Sequence, residues 1–244
     1  MIIEAAWNAP SRVRAVTTTR QGGVSPAPYD SFNLATHVGD NPQRVKHNRQ
    51  SLAEQLALPG PVQWLQQVHG TKLVAANPGG DIPQADAVWT DKAGLVCAVM
   101  TADCLPVLLC ESRGRWVAAV HAGWRGLAAG IVAAAIEQLR QPDEKVSAWL
   151  GPAIGPAHFE VGAEVREAFI KRDGSTESCF KPSPKHDGRF LADLYALARC
   201  QLQRVDVSQV EGGQYCTYAD PGHFYSYRRD GVTGRMATLI WIQP

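Results

Sequence analysis

The sequence predicts a mixed α+β domain built in layers. Short apolar or β-branched runs of strand length recur through the chain, and a smaller number of segments carry apolar residues at helical spacing. Several strand-like runs follow one another before any helix intervenes, which disfavours a regular doubly wound sheet and favours layers of sheet and helix. Length adds a soft prior: 244 residues suit one large domain or two small ones, and a single domain over residues 1–244 is expected.

Residues 13–19 are β-branched and read as a strand, broken by Arg20-Gln-Gly-Gly. Residues 24–40 are rich in Pro, Ser, Asn and Gly and read as an ordered loop. Asn41-Pro42 is a helix start, with Asn as cap and Pro at the first position. Val45, Leu52 and Leu56 then share one face until Pro59-Gly60-Pro61 stops the helix. Strands are expected at 62–65, 72–75, 85–90, 95–100, 106–110 and 116–120. The runs 95–100 and 116–120 lack polar alternation, so both of their faces should be buried. A helix is expected from about Gly126, with Leu127, Ile131 and Leu139 on one side. A strand at 146–150 leads into Gly151-Pro-Ala-Ile-Gly-Pro, a rigid turn. Helices at 161–170 and 190–204 flank a polar, Pro-rich surface excursion at 172–189, and a last strand covers 236–242.

Composition excludes several classes. With 45% hydrophobic and 19% charged residues the chain can bury a sizeable core. A net charge of +1, with the cations scattered, gives no sustained basic face, so no nucleic-acid partner is expected. No apolar run is long enough to span a bilayer, and the first residues lack the basic flank and apolar core of a signal peptide. Six cysteines without a C-x-x-C pair then read as reduced thiols in a cytoplasmic protein.

The residues that carry chemistry are His69, Cys104 and His121. Each falls where an expected core strand runs out into a loop, the usual position for a site on a rigid scaffold. Two imidazoles and a thiolate make three ligands and leave a fourth tetrahedral position open, the catalytic form of a zinc site. Such an ion lowers the pKa of water toward neutrality. Spacing alone leaves other readings open. A Cys ending an apolar strand is commonly a small buried hydrophobe, the role expected for Cys97, Cys110 and Cys200. A His beside Gly is commonly a turn residue, and His37, His47, His158, His186 and His223 read as surface positions. The run His121-Ala-Gly-Trp-Arg-Gly lets backbone amides approach an anion at a helix start, with Arg125 beside them; it reads equally as a tight strand-to-helix turn.

A resemblance decides between these readings. Arg20-Gln-Gly-Gly-Val-Ser, Ser31-Phe-Asn-Leu, His37-Val-Gly-Asp, Gln66-Gln-Val-His69-Gly and Thr101-Ala-Asp-Cys104-Leu-Pro resemble blocks of the YfiH-like family. So do His121-Ala-Gly-Trp-Arg-Gly, Gly151-Pro-Ala-Ile-Gly-Pro and Phe224-Tyr-Ser-Tyr-Arg-Arg-Asp with its following Thr-Gly-Arg. The blocks run in order over almost the whole chain, with Phe32 in place of a commoner Leu. This family has been labelled a multicopper polyphenol oxidase or laccase-domain group, and also a group of purine nucleoside enzymes related to the metazoan protein FAMIN. The resemblance implies a layered α/β/β/α fold with mixed sheets, shared with cytotoxic-necrotizing-factor-like toxins. It implies His69, Cys104 and His121 as metal ligands and catalytic centre, with Zn2+ as the ion and Cu2+ as the other possibility. It also implies purine nucleosides and phosphate as small-molecule partners, with Arg20, Asn33, Arg125, Tyr227 and Arg228 as substrate-binding candidates. Asp103 is the candidate for a residue that supports the ligands or carries a proton.

The expected function is therefore a zinc-dependent purine nucleoside enzyme, phosphorolysing adenosine, inosine and methylthioadenosine and deaminating adenosine. Copper-dependent polyphenol oxidation is the first alternative. A trinuclear copper centre draws on many histidines in H-x-H units, whereas this chain has seven histidines and no such unit. A single blue-copper site is closer in donor type, but Cys104 is followed by Leu-Pro-Val-Leu-Leu rather than a short His- and Met-bearing loop. The second alternative is a metal-free hydrolase, with Cys104 as nucleophile and His121 as base, editing peptidoglycan precursors.

Overall fold

Apolar runs that do not alternate become strands sandwiched between two layers, and this principle builds the molecule. The computed structural model describes residues 2–244; Met1, part of the expected 1–244 unit, lies outside the described residues. In chain order the elements are β1 (Ile2–Glu4), β2 (Val13–Thr18), α1 (Pro42–Gln55), β3 (Val62–Gln63), β4 (Leu73–Ala75), β5 (Ala87–Thr90), β6 (Val96–Thr101), β7 (Leu105–Glu111) and β8 (Val117–Ala122). There follow α2 (Trp124–Ala129), α3 (Ile131–Leu139), β9 (Val146–Leu150), β10 (Glu160–Val161), α4 (Ala163–Arg172), β11 (Phe180–Pro182), β12 (Phe190–Ala192), α5 (Leu194–Arg204), β13 (Gln209–Gly212), α6 (Tyr227–Asp230) and β14 (Met236–Ile242).

Two mixed sheets lie face to face. One runs β1-β2-β14-β6-β3 and the other β13-β9-β7-β8-β5-β4. The edge pairs β3–β6, β4–β5 and β13–β9 are parallel and the remaining pairs antiparallel. Side chains divide by parity, since successive residues of a strand point to opposite faces. Cys97 and Val99 of β6, Leu108 and Cys110 of β7, Val117 and Ala119 of β8 and Ile240 and Ile242 of β14 fill the space between the sheets. The alternate residues face outward. Val96, Ala98, Leu239 and Trp241 pack with Leu52 of α1, while Val107, Leu109, Ala118 and Val120 pack with Leu127, Ile131 and Ile136 of α2 and α3 and with α5. The order of layers is helix, sheet, sheet, helix, as expected. No helix among the described residues is long and apolar enough to cross a membrane.

Local chemistry sets the boundaries, and several differ from expectation. The helix expected from Gly126 is two helices, divided at Gly130, whose φ of 88° is left-handed backbone. The segment 190–204 is not helical throughout: Phe190–Ala192 pairs with β10 and β11, and the helix begins after Asp193, whose carboxylate accepts from the Ala196 amide at 3.0 Å. Val161 belongs to a strand, so α4 starts at Ala163. The excursion 172–189 contains a 3-10 turn at Gly174–Cys179 and strand β11. The loop 24–40 holds a buried polar knot: Ser25 Oγ and Asn33 Nδ2 both donate to Asp40 Oδ2, at 2.6 and 3.0 Å, and Asn48 Nδ2 donates to Ser25 Oγ at 3.0 Å.

Candidate metal centre and active-site cavity

The ligand-type residues converge. His69 lies in the β3–β4 loop, Cys104 in the tight link from β6 to β7, and His121 near the end of β8. Their donor atoms all lie within 4.8 Å of one another, and the two imidazole rings meet edge to face at 4.8 Å between centroids. Parity explains His121: Val117 and Ala119 of the same strand point between the sheets, and His121 continues that row to its open end. His121 lies within the strand rather than after it, paired with Pro106. Its exposure is 3%, against a half-buried Cys104 and an exposed His69.

A buried carboxylate organises the group. Asp86, wholly buried, meets His121 Nδ1 at 2.8 Å, and its carbonyl accepts from the His121 amide at 2.7 Å. The same carboxylate accepts from the amides of Val68 (3.2 Å), His69 (2.9 Å) and Gly70 (2.7 Å). These bonds hold His69 at a φ of 60°, a costly conformation for a residue with a side chain. Asp86 thus fixes the ring orientation of His121, leaves its Nε2 facing the Cys104 sulfur, and positions the second imidazole through its backbone. Burial alone would lower the His121 pKa; the Cys104 sulfur and the Asp86 carboxylate reverse this and raise it to about 9. Burial and the neighbouring His121 lower the pKa of His69, with Asp86 opposing them. The sequence carries a signal for Asp86: an acid inside the apolar run Ala85-Asp86-Ala87-Val88 must be paired.

Glycine makes room for the cluster. A Cβ on Gly123 would sit 2.4 Å from His69 Nδ1 and 3.2 Å from Cys104 Sγ. One on Gly126 would meet the Gly70 carbonyl at 2.8 Å. Two imidazoles and a thiol brought to one point, with the outer nitrogen of His121 held by a carboxylate, fit a zinc or copper ion.

The cluster lies in the wall of a cavity of about 390 Å3, a volume suited to a small ligand. Of the substrate-binding candidates, Arg125, Tyr227 and Arg228 line it. Arg20 and Asn33 do not. Arg20 spends its guanidinium on the carbonyls of Asp30 and Pro221, at 2.9 and 3.2 Å, and lies over the Tyr225 ring. Asn33, fully buried, donates to Ala35 and Asp40 and accepts from the amides of Ala35 and Arg235. Both are loop-forming residues whose polar groups are used before a ligand could reach them. Asp103 lines the cavity yet holds structure: Oδ1 accepts from Thr217 Oγ1 at 2.6 Å and Oδ2 from the Arg228 amide at 2.7 Å, anchoring α6. The backbone after His121 enters α2 at Gly123, which caps that six-residue helix without a side-chain hydrogen bond. The lining also includes residues to which the sequence assigns no site role, among them Thr101, Trp124 and Phe159. His37, expected at the surface, lines the cavity, and so does Arg235 of the Thr-Gly-Arg block.

Fold and site together define a class: an α/β/β/α protein with a His/Cys/His donor set facing a cavity walled by aromatic rings and guanidinium groups. Known proteins share this plan. A family model described as multi-copper polyphenol oxidoreductase laccase matches residues 14–243. A purine nucleoside phosphorylase of Pseudomonas aeruginosa is 52% identical over 237 residues, 97% of this chain and 96% of the relative. The purine nucleoside phosphorylase YfiH of Escherichia coli is 49% identical over 243 residues, 99% and 98%. The crystal structure of a Neisseria meningitidis protein superposes with a TM-score of 0.93 at 48% identity, covering 100% of this chain and 99% of that one. That of a hypothetical protein YfiH from Bacillus licheniformis gives 0.88 at 29% identity, covering 95% and 93%. The chain belongs to the YfiH family, the one whose model carries the laccase description.

Proposed function

We propose that this chain, acting as one catalytic domain, is a zinc-dependent purine nucleoside enzyme that phosphorolyses adenosine, inosine and methylthioadenosine and also deaminates adenosine. The observation that carries the reading is the His69/Cys104/His121 donor set in the wall of a cavity that also presents aromatic faces and cations. Relatives across nearly the full chain length are named purine nucleoside phosphorylases, which supports the same reading.

In phosphorolysis a phosphate oxygen forms a bond to ribose C1′, the bond from C1′ to the purine nitrogen breaks, and the electron pair leaves with the base. The ion, when bound, supplies Lewis-acid polarisation and lowers the pKa of water. The protein's own contribution is positioning. Trp124, Phe159 and Tyr227 offer flat apolar surface to a purine, and Arg125, Arg228 and Arg235 offer positive charge to phosphate. Asp86 keeps both imidazoles in place throughout. Purified protein incubated with each nucleoside and inorganic phosphate should release adenine from adenosine and from methylthioadenosine and hypoxanthine from inosine, with ribose 1-phosphate or its 5-methylthio form as the other product, and adenosine should also give inosine. Metal-replete protein that forms none of these defeats the reading.

One observation favours a second reading. Asp86, His121 and Cys104 stand in the order orienter, base, nucleophile, the arrangement of a metal-free cysteine hydrolase acting on an amide such as a peptidoglycan precursor. Activity lost on thiol alkylation yet indifferent to chelation would select it. Copper-dependent phenol oxidation is supported by the family's description, but a multicopper centre needs more histidine donors than this one three-residue group among the described residues provides.

A further inference from the structure

Thr101 is the last residue of β6. Cys97 and Val99 point between the sheets, and Thr101 continues that row to the end where the cavity opens. It is 2% exposed, and its hydroxyl has no hydrogen-bond partner among the described residues. Proteins rarely leave a buried hydroxyl unpaired, and an unpaired one in a cavity wall points to a ligand.

Arg235 adds an independent observation. It immediately precedes Met236, which pairs with Thr101 in the β14–β6 register, so the two residues adjoin at the same end of neighbouring strands. Both line the cavity. Its Nη1 donates to the carbonyls of Thr233 and Gly234, at 2.9 Å each, and it makes no ion pair among the described residues. Burial is the main influence on its guanidinium and lowers its pKa. Asp103, the carboxylate in the cavity wall, already accepts from Thr217 and from the Arg228 amide. Cys104 and Asp103 act on this guanidinium from a distance and oppose the effect of burial, but neither pairs with it directly, and a half-buried guanidinium with an unpaired edge in a cavity wall suits an anion. Arg235 also lies over the Tyr227 ring at 5.8 Å; Arg125 stacks on Trp124 at 4.3 Å but is exposed.

We propose that Arg235 and Thr101 form the oxyanion subsite of this cavity, holding inorganic phosphate beside the donor cluster; the inference rests on the phosphorolysis reading above. The free edge of the guanidinium takes two phosphate oxygens, and the Thr101 hydroxyl, closed to solvent in this conformation, takes a third once its side chain turns toward the cavity. Thr101 is a binding residue whose hydroxyl serves the ligand rather than the fold.

The test compares wild type, Thr101→Val and Arg235→Lys, all loaded with zinc. Two readouts are used: the rise in melting temperature with inorganic phosphate alone, and separate KM values for phosphate and nucleoside. Thr101→Val should melt at or above the wild-type temperature without phosphate, while its phosphate KM rises about 5- to 10-fold and its nucleoside KM stays within twofold. Arg235→Lys should raise the phosphate KM about 30-fold or more and abolish the phosphate-dependent rise in melting temperature, because a lysine cannot make the bidentate contact. Phosphate KM values and thermal shifts unchanged within twofold in both variants would overturn the subsite. Wild type that cleaves no nucleoside would instead defeat the functional reading, and the thermal shift with phosphate would still judge the subsite.

Discussion

Asp86 accepts hydrogen bonds from three consecutive backbone amides and from a ligand imidazole, so its replacement should affect both fold and metal. Asp86→Asn keeps one acceptor oxygen but turns an N–H2 group toward donors. It should lose about 2–4 kcal/mol of stability by urea unfolding and weaken zinc by about 10- to 100-fold against a chromogenic chelator. Gly123→Ala separates the two effects, since its added carbon would meet His69 Nδ1 and Cys104 Sγ rather than the core. Zinc stoichiometry by elemental analysis should fall well below one per chain, with the circular-dichroism spectrum retained; full occupancy would show that the donors close elsewhere. Cys104→Ala should lose both the ion and nucleoside cleavage, by at least about 100-fold in kcat/KM. At this scale the ligand types were legible in the sequence. Their support was half legible: an acid in the apolar run 85–88 requires a partner, but that the partner is His121 depends on two strands paired only in three dimensions.

Helix and strand limits followed local chemistry wherever that chemistry was unambiguous. Asn41-Pro42 starts α1 as read, with the Asn41 side chain accepting from the Gln43 amide at 2.8 Å. The reading failed where apolar spacing continued across a cap: Leu191 and Leu194 fit a helical face, yet Asp193 between them is the cap that separates β12 from α5. Gly130 hid a similar break. Gly130→Ala places a side chain at a φ of 88° and should cost about 1–2 kcal/mol in chemical denaturation; no loss would show that α2 and α3 can merge. Strands β1, β10, β11 and β13 are two to four residues long and too short to show a period.

For the whole molecule, stability rests on the layer between the sheets, where Leu108 is completely buried. Leu108→Ala should cost about 2–5 kcal/mol. A second contribution depends on pH. Glu111 is 1% exposed; burial alone would raise its pKa, but the amides of Arg115 and Arg113, the Arg115 guanidinium and the Ser112 hydroxyl bring it below the ordinary glutamate value. A carboxylate with a depressed folded pKa stabilises fully above its unfolded value of about 4.3, and that stability is lost as pH falls through the folded pKa. Glu111→Gln should therefore flatten the acid limb of the stability curve below about pH 4 and lower stability at neutral pH. An acid limb identical to wild type would remove Glu111 from this role.

The sequence by itself determined the layered α+β class, the central apolar strands and the identity of three metal-ligand-type residues, because hydrophobic period, capping chemistry and donor type are local properties. Only the tertiary structure decided which groups meet: that Asp86 clamps two imidazoles, that Arg20 and Asn33 serve loops, and that His37, Thr101 and Arg235 face the cavity. Those outcomes depend on register between strands far apart in the chain, and a one-residue slip would turn every such side chain to the other face.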